Sequence, residues 1–327
     1  HPAAVLRPGR APGRLSTFEQ RAGLLCRAGA DEVRRLEPDR ALLSMSPETF
    51  LRYVKDEFHP GWLVEGADFH FGKGRSGHIG EMRSIGDRLG FRVEVVEPVE
   101  VVLRDHAIVT ASSTIIRWLI GCGRVADAAI VLGRPYELTG VVVAGDRRGR
   151  AIGFPTANLA PEQAPPAAGV YAAMADLPGG RSLPAAVHVG ERPSIGDGEH
   201  RVEAHILGLP TSFADAEQRA PGVSEGAVIH DDQGASGASG ASARRSRAGC
   251  LPDWQPIDGL DETGWRLSLR FVSWVRDPIP FSSVDRLADQ LARDCRRVAD
   301  RLRSVDEVFI DTPVPPAIPA SSEETPA

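Results

Sequence analysis

Residues 145–158 read Gly145-Asp146-Arg147-Arg148-Gly149-Arg150-Ala151-Ile152-Gly153-Phe154-Pro155-Thr156-Ala157-Asn158. Glycine recurs at every fourth position, so the backbone can turn tightly and expose its N–H groups. Such groups, with arginines beside them, bind phosphate oxygens. Pro155 fixes the backbone just ahead of Thr156 and Asn158, whose side-chain oxygens suit Mg²⁺, a cation that usually also binds substrate phosphates. The run therefore predicts a nucleotide loop with a metal site.

The residues alone also allow a plainer interpretation, a glycine-rich hairpin followed by a strand. The spacing is not that of a Walker A loop, because no Gly-Lys-Ser or Gly-Lys-Thr ends the run. Asp146, Arg147 and Arg150 would either touch nucleotide phosphates or be ordinary turn charges.

The string Gly-Phe-Pro-Thr-Ala-Asn at 153–158 resembles the ATP and Mg²⁺ loop of riboflavin kinases. Further segments of that kinase module follow in the same order as in the family: Leu132–Tyr136, Gly140–Val142, Gly169–Ala172, Ala185–Gly190 and Arg201–His205. The resemblance implies riboflavin and ATP as substrates and FMN as product. It implies ATP contacts at Gly145, Gly149, Gly153, Thr156 and Asn158, Mg²⁺ ligands at Thr156 and Asn158, and flavin contacts at Gly169, Val170 and Tyr171.

Glu203 is the candidate catalytic base for this phosphoryl transfer. It lies on an alternating strand, Val202-Glu203-Ala204-His205-Ile206-Leu207, and matches the catalytic glutamate of the family. A base near the ribityl 5′-hydroxyl is what the reaction needs. The alternative is a solvent-facing strand carboxylate. His205 falls on the same face two residues later, and we assign it no role.

Two motifs nearer the N-terminus resemble bacterial FAD synthetases. Gly66–Gly72 followed by Gly74–Gly77 resembles their flavin-facing loop, which implies flavin contacts at Asp68, Phe69, Phe71 and Gly72. Ser112–Arg117 resembles the Ser-Ser-Thr-x-x-Arg signature of nucleotidyltransferases, which implies that ATP phosphates are held by Ser112, Ser113, Thr114 and Arg117. Without the resemblance, the three hydroxyls would read as an N-cap cluster opening a helix.

Taken together, residues 1 to about 305 resemble the bacterial bifunctional riboflavin kinase/FAD synthetases. One departure concerns the His-x-Gly-His element with which the family opens. The sequence, which starts at His1, contains no such string. We therefore expect the adenylyltransferase half to lack its first βα unit and to form little or no FAD. A second departure is Glu191-Arg192-Pro193-Ser194, where the family often has Thr-Asn-Pro-Thr; this puts local flavin or nucleotide contacts in doubt.

Composition bounds the remaining function classes. The 327 residues are 42% hydrophobic and 25% charged, which is ordinary for a globular protein with room for two domains. The net charge of −6, with basic residues spread out, argues against nucleic-acid binding. The dense patch Arg244–Arg247 reads as a linker feature. No apolar run is long enough to span a membrane, and four scattered cysteines indicate reduced thiols of a cytoplasmic protein. We expect a monomer or weak homo-oligomer.

The predicted fold class is α/β plus β. Residues 1–125 form a partial Rossmann-like nucleotidyltransferase domain. A helix over 17–39 is expected to begin at a capping box of Thr17 and Gln20 and to bury Leu24, Leu25 and Val33, and a second helix is expected to be capped by Ser46 with Pro47 in its first turn. Strands are expected at 62–65 and 91–96. Residues 126–310 form a small antiparallel six-stranded β-barrel of riboflavin kinase type, with a disordered insert at about 213–263 and a C-terminal helix from Ser283. Residues 311–327 form a disordered tail.

Three functional interpretations remain open at this stage. The first is a riboflavin kinase module behind an incomplete FAD synthetase module, with Mg²⁺ acting together with ATP, and FMN and FAD as products. The second is a kinase alone on a scaffold domain. The third is a non-catalytic flavin-binding protein, which has no need of the metal-and-base set Thr156, Asn158 and Glu203.

Overall fold

A computed structural model of the chain describes residues 11–145, 152–191, 200–207 and 263–303, together with Val5 and Gly149. Several sequence predictions lie outside these residues: the tail 311–327, residues 213–262 of the insert, and the roles of Asp146, Arg147 and Arg150. The chain divides into two compact units. Of the described residues, the first unit holds 11–136 and 162–166, and the second holds those in 137–161 and 167–303. The predicted domain boundary at 125/126 stays a prediction.

The first helix, α1 (Phe18–Arg27), begins at the predicted capping box but is shorter than expected. Thr17 Oγ1 accepts from the Gln20 N–H at 3.1 Å, and Gln20 Oε1 accepts from the Thr17 N–H at 2.9 Å. The prediction of helix over 17–39 is wrong, because Gly29 takes a positive φ of 102° and ends the helical run. Leu25, expected to be buried, is 45% exposed.

The rest of the first unit alternates short helices and strands. Ser46 caps α3 with Pro47 in its first turn, as predicted. The elements are α2 (Arg40–Ser44), α3 (Pro47–Phe58), β1 (Trp62–Gly66), β2 (His70–Phe71), a 3₁₀ turn (Lys73–Arg75), β3 (Gly77–His78), α4 (Ile79–Leu89), β4 (Arg92–Val96), β5 (Glu100–Val102), β6 (Ile108–Thr110), α5 (Ser113–Gly121) and α6 (Val125–Leu132).

Strands β1 and β4 pair in parallel, and the pairs β2–β3 and β5–β6 are antiparallel. A core of Leu51, Phe71, Met82, Ile85 and Phe91 lies between these strands and helices α3 and α4. This is the helix-and-strand arrangement expected of a nucleotidyltransferase-like region.

The second unit is a closed six-stranded barrel, as predicted. Its strands are β7 (Tyr136–Val143), β8 (Ala157–Pro161), β9 (Gly169–Asp176), β10 (Ser182–Glu191), β11 (His200–Ile206) and β12 (Arg266–Arg276), in the order β10-β11-β8-β7-β12-β9. Alternate residues point inward, so that Tyr171, Ala173 and Ala175 of β9 are fully buried in the interior. The intervening residues of β9 face outward.

The C-terminal helix α7 (Val284–Arg303) covers part of that outer face. Its first turn is capped by Ser283, whose Oγ accepts from the Arg286 N–H at 3.3 Å. A second core forms where the helix meets outward residues of β9. Its buried members include Val170, Ala172, Met174, Val298 and Leu302. The helix predicted from Ser283 is therefore confirmed.

Candidate active site

The glycines of the 145–158 run permit close approaches of the backbone to the next strand. A Cβ on Gly145 would lie 2.0 Å from the amide nitrogen of Asn158, and a Cβ on Gly149 would lie 2.2 Å from the Phe154 carbonyl oxygen. Gly153 instead adopts a φ of +85°, which favours glycine. Gly145 and Gly149 therefore let the segment lie close against Asn158 and Phe154, and Gly153 permits the turn between them. Their predicted contacts with ATP stay predictions.

Phe154 and Pro155 anchor the end of this segment to the barrel. The Phe154 ring is buried in the core beneath α7, and its N–H donates to the Gly149 carbonyl at 2.8 Å. His205 of β11 packs edge-on against the same ring, with centroids 5.4 Å apart, and its Nδ1 lies 2.8 Å from the Pro155 carbonyl oxygen. Burial lowers the pKa of His205, although the hydrogen bond with Pro155 opposes this. His205 thus fixes the backbone that precedes Thr156.

A row of cross-strand neighbours then crosses the outer face of the barrel. Asn158 of β8 pairs in register with Glu203 of β11, and Glu203 pairs with His188 of β10. His188 pairs with Val170 of β9, and Val170 with Arg276 of β12. Directly opposed residues of antiparallel strands have Cβ atoms about 4.5–5.5 Å apart. The row therefore brings a predicted metal ligand, the predicted base and a predicted flavin contact onto one face.

Arg201 holds the carboxylate of Glu203. It lies two residues earlier on β11, on the same face, and its Nε is 2.7 Å from Glu203 Oε1. The same Nε donates to Asn158 Oδ1 at 3.2 Å. The side chains of Arg201 and Glu203 are 27% and 24% exposed, so the ion pair is sheltered while still reachable by a small molecule. The sequence reasoning missed Arg201, although its spacing from Glu203 is a signal of a shared strand face.

His188 is the other site residue that the sequence reasoning missed. It is half-buried, and burial lowers the pKa of its ring; Arg276 and Arg201 add to this, and Glu203 opposes it. The ring lies over Gly190, where an added Cβ would come within 2.8 Å of His188 Cε1. The signal available in the sequence is its position within the family-like segment Ala185–Gly190.

Thr156 and Asn158 fit a magnesium site of the kind that a substrate completes. Thr156 is exposed just before β8, and Asn158 follows two residues later on the same side of the chain. Mg²⁺ is usually held by one or two protein oxygens together with substrate phosphates and water. Within the part of the chain that the structure describes, no group of three or more His, Cys, Asp or Glu side chains could hold a metal.

The three predicted flavin contacts of β9 differ in where they face. Val170 lies in the outer row beside His188, but its side chain is buried in the core beneath α7, so it is not open to a flavin in this structure. Gly169 lies close to the Trp274 indole, because a Cβ there would meet its Nε1 at 3.0 Å. Tyr171 points into the barrel, where its ring packs edge-on against Phe271 at 5.4 Å and its hydroxyl donates to the Ala167 carbonyl at 2.6 Å. The Tyr171 ring is therefore part of the core inside the barrel in this structure.

In the first unit, the hydroxyl cluster lies at the beginning of α5. Ser112 caps the helix by accepting from the Ile115 N–H at 3.3 Å, and Ser113 and Thr114 are exposed beside it. Arg117 donates through Nε to the Gly13 carbonyl at 2.9 Å and through Nη1 to the Ser113 carbonyl at 3.1 Å. This geometry is compatible with an N-cap alone and also with nucleotide binding, because the N-terminus of a helix binds phosphate well.

The predicted flavin loop of the first unit follows β1. Phe69 and Phe71 stack with their planes at 14° and centroids 5.9 Å apart. Phe71 is buried in the core, Phe69 is half-buried and Asp68 is exposed. Gly72 adopts a φ of +71° and lies against Pro47. Among the described residues, no hydrogen bond or ion pair joins this loop to the Ser112–Arg117 cluster, so the two stay separate predictions.

Each half of the chain matches a known protein family. Residues 132–221 match the riboflavin kinase family, and residues 1–111 match the FAD synthetase family. The resemblance predicted from the sequence is confirmed. A bifunctional riboflavin kinase/FMN adenylyltransferase of Escherichia coli K12 is 30% identical over 208 residues, and one of Pseudomonas fluorescens is 34% identical over 209. Each match covers 63% of this chain and 65% of the relative, so the chain spans about two thirds of their length.

A solved structure is similar in fold. It is a crystal structure of a macrolide-efflux protein from Streptococcus pneumoniae, with a TM-score of 0.63 and 25% sequence identity, and the match covers 88% of this chain and 75% of that one. Of the helices in the described part of our chain, none is long and apolar enough to cross a membrane.

Proposed function

We propose that the chain is a riboflavin kinase, which transfers the γ-phosphoryl group of ATP to the 5′-hydroxyl of the ribityl chain of riboflavin and forms FMN. The observation that carries this proposal is the register pair Asn158–Glu203, which puts a carboxylate opposite an amide oxygen at the end of the glycine loop. The match of residues 132–221 to the riboflavin kinase family supports it.

In the proposed reaction, the Glu203 carboxylate accepts the proton of the 5′-hydroxyl. The hydroxyl oxygen attacks the γ-phosphorus, and the bond between that phosphorus and the bridging oxygen of ADP breaks. Arg201 keeps the carboxylate aimed along the strand face, since it bonds Glu203 and Asn158 with one nitrogen. Thr156 and Asn158 would hold Mg²⁺, which would neutralise charge on the phosphates of ATP.

The test is FMN formation from riboflavin and Mg-ATP by the purified chain, measured by chromatography. Glu203→Gln keeps the size of the side chain and its bond to Arg201 but removes the proton acceptor. It should lower kcat about 10²–10⁴-fold with little effect on ATP binding. Glu94→Gln, at an exposed strand carboxylate of the first unit, is the matched control and should leave kcat unchanged. Folded protein that binds riboflavin without producing FMN would favour the non-catalytic flavin-binding alternative.

A second candidate activity, adenylylation of FMN to FAD, rests on the first unit. The match of residues 1–111 to the FAD synthetase family and the exposed hydroxyls of Ser113 and Thr114 at the N-terminus of α5 support it. Incubating the chain with FMN and Mg-ATP and measuring FAD tests this activity separately. A chain that makes FMN but no FAD would be a kinase alone. We propose a cytoplasmic location, where ATP is available and where exposed cysteines such as Cys26 and Cys122 would stay reduced.

A further inference from the structure

His188 lies beside the proposed base in the outer row. It pairs in register with Glu203, while Val170 on its other side is buried in the core beneath α7. In riboflavin the other ribityl hydroxyls lie next to the 5′-hydroxyl that is phosphorylated. A substrate whose 5′-hydroxyl lies at Glu203 therefore brings a neighbouring ribityl hydroxyl within reach of His188.

The chemistry of the His188 ring suits a polyol. Burial lowers the pKa of the His188 ring; Glu203 opposes this and Arg276 and Arg201 add to it, so the balance favours the neutral imidazole. A neutral imidazole has one N–H donor and one acceptor nitrogen, and a hydroxyl group can satisfy either. Among the residues that the structure describes, none makes a hydrogen bond to either ring nitrogen of His188.

Gly190 leaves room for the His188 ring in this position. The ring lies over the glycine, and a Cβ added there would lie only 2.8 Å from His188 Cε1, so a side chain at residue 190 would displace the ring. The segment Ala185–Gly190 thus combines an imidazole with the glycine that gives it room.

We propose that His188 is a positioning residue that hydrogen-bonds a hydroxyl of the ribityl chain and so places the 5′-hydroxyl at Glu203. This inference rests on the proposed riboflavin kinase activity and adds a determinant of substrate specificity to it. It predicts that His188 recognises the sugar-like chain of the flavin and contributes nothing to recognition of the ring.

The experiment compares riboflavin with lumiflavin, which has the same ring system but a methyl group in place of the ribityl chain. Binding of each flavin to the full chain is followed by quenching of flavin fluorescence, without ATP. His188→Phe fills the volume of the imidazole but removes its hydrogen bonds. It should weaken riboflavin binding about five- to tenfold, the usual effect of one net hydrogen bond, and leave lumiflavin binding unchanged.

Two further variants separate positioning from packing. His188→Asn retains a donor and an acceptor and should recover most of the riboflavin affinity. Gly190→Ala displaces the imidazole without removing it and should resemble His188→Phe. His59→Asn, an exposed residue with a φ of +49° that asparagine tolerates, is the control and should behave as the unmodified chain.

The results overturn the inference in defined ways. If His188→Phe binds riboflavin normally, or if it weakens riboflavin and lumiflavin equally while circular dichroism shows a folded barrel, His188 does not recognise the ribityl chain. If the unmodified chain binds riboflavin but makes no FMN, the proposed kinase function fails, while the comparison of the two flavins still decides the role of His188.

Discussion

At the scale of single residues, Thr156 tests the metal part of the proposed site most cleanly. Thr156→Ala removes the hydroxyl of an exposed side chain. The concentration of Mg²⁺ needed for half-maximal FMN formation should rise by at least about tenfold, since even supporting residues of metal sites have effects of that size. Chelation of Mg²⁺ should abolish the activity of the unmodified chain.

Thr156→Ser retains the hydroxyl and is the matched control, so its Mg²⁺ requirement should stay close to that of the unmodified chain. Asn158→Ala should also raise the requirement, but it removes the amide that Arg201 bonds and so disturbs Glu203 as well. An unchanged Mg²⁺ requirement in both alanine variants would locate the metal site elsewhere.

The residue scale also shows what a linear sequence can and cannot supply. The string at 153–158 and the alternation around Glu203 are enough to nominate Asn158 and Glu203 as separate candidates. Their direct pairing depends on the register between β8 and β11, which joins residues 45 positions apart and which no local pattern encodes. His188 likewise lies within a family-like segment, but its position beside Glu203 depends on the register between β10 and β11. Arg201 could have been nominated from its spacing of two residues from Glu203.

At the scale of secondary-structure elements, the attachment of α7 depends on a buried ion pair. Arg276 of β12 reaches Asp294 of α7, with Nη2 2.7 Å from Oδ2 and Nε 3.0 Å from both carboxylate oxygens. Gln290 donates a further hydrogen bond to Asp294 at 2.8 Å. The Asp294 side chain is only 2% exposed, so solvent cannot replace these bonds when one partner is lost.

Asp294→Asn should therefore lower the free energy of unfolding by about 3 kcal/mol, because it leaves the charge of Arg276 buried and unpaired. Urea unfolding of the purified chain, followed by far-ultraviolet circular dichroism, measures this. Asp300→Asn is the matched control on the same helix: Asp300 pairs with Arg303 at 3.2 Å, but both side chains are more than half exposed. That change should stay within about 0.5 kcal/mol. Equal effects of the two substitutions would mean that the buried pair does not hold the helix.

Element boundaries are predictable where a cap specifies them. The capping box at Thr17 and the Ser46-Pro47 start are both correct, because each satisfies backbone N–H groups by side chains that lie within four residues. The end of α1 is not, since apolar residues such as Val33 continue the helical pattern past the point where Gly29 adopts a positive φ. Hydrophobic spacing alone does not reveal such a stop.

At the scale of the whole molecule, the resemblance to riboflavin kinases predicts a six-stranded barrel, but the strand order follows from long-range pairing. β8 lies between β7 and β11, so the chain leaves the sheet after β8 and returns to pair β9 with β10 and β12. Spacing and turn residues indicate strands and turns, and they carry no information on which strand closes the barrel. Closure leaves no free sheet edge in this unit.

The two units should therefore differ in stability. In the first, β1 and β4 form a two-stranded sheet with one apolar face exposed: Trp62, Val64 and Val96 are each more than half accessible to solvent. In the second, every barrel strand has two neighbours and the inward residues of β9 are completely buried. Backbone amides exchange with solvent by opening local structure, and opening requires less free energy where few apolar contacts are broken.

Hydrogen exchange followed by mass spectrometry should accordingly show amides of β1 and β4 exchanging at least about tenfold faster than those of β9 and β10 under native conditions. The internal control is α4, because its buried Met82 and Ile85 belong to the core beneath β1 and β4. The amides of α4 should exchange at least as fast as those of the barrel. Saturating riboflavin with Mg-ATP should slow exchange further in β8, β10 and β11, which carry the proposed site, and leave β1 and β4 unchanged.

Equal protection of the two units would mean that the exposed apolar face does not weaken the first one. Slower exchange in β1 and β4 upon addition of riboflavin would instead point to a flavin site in the first unit.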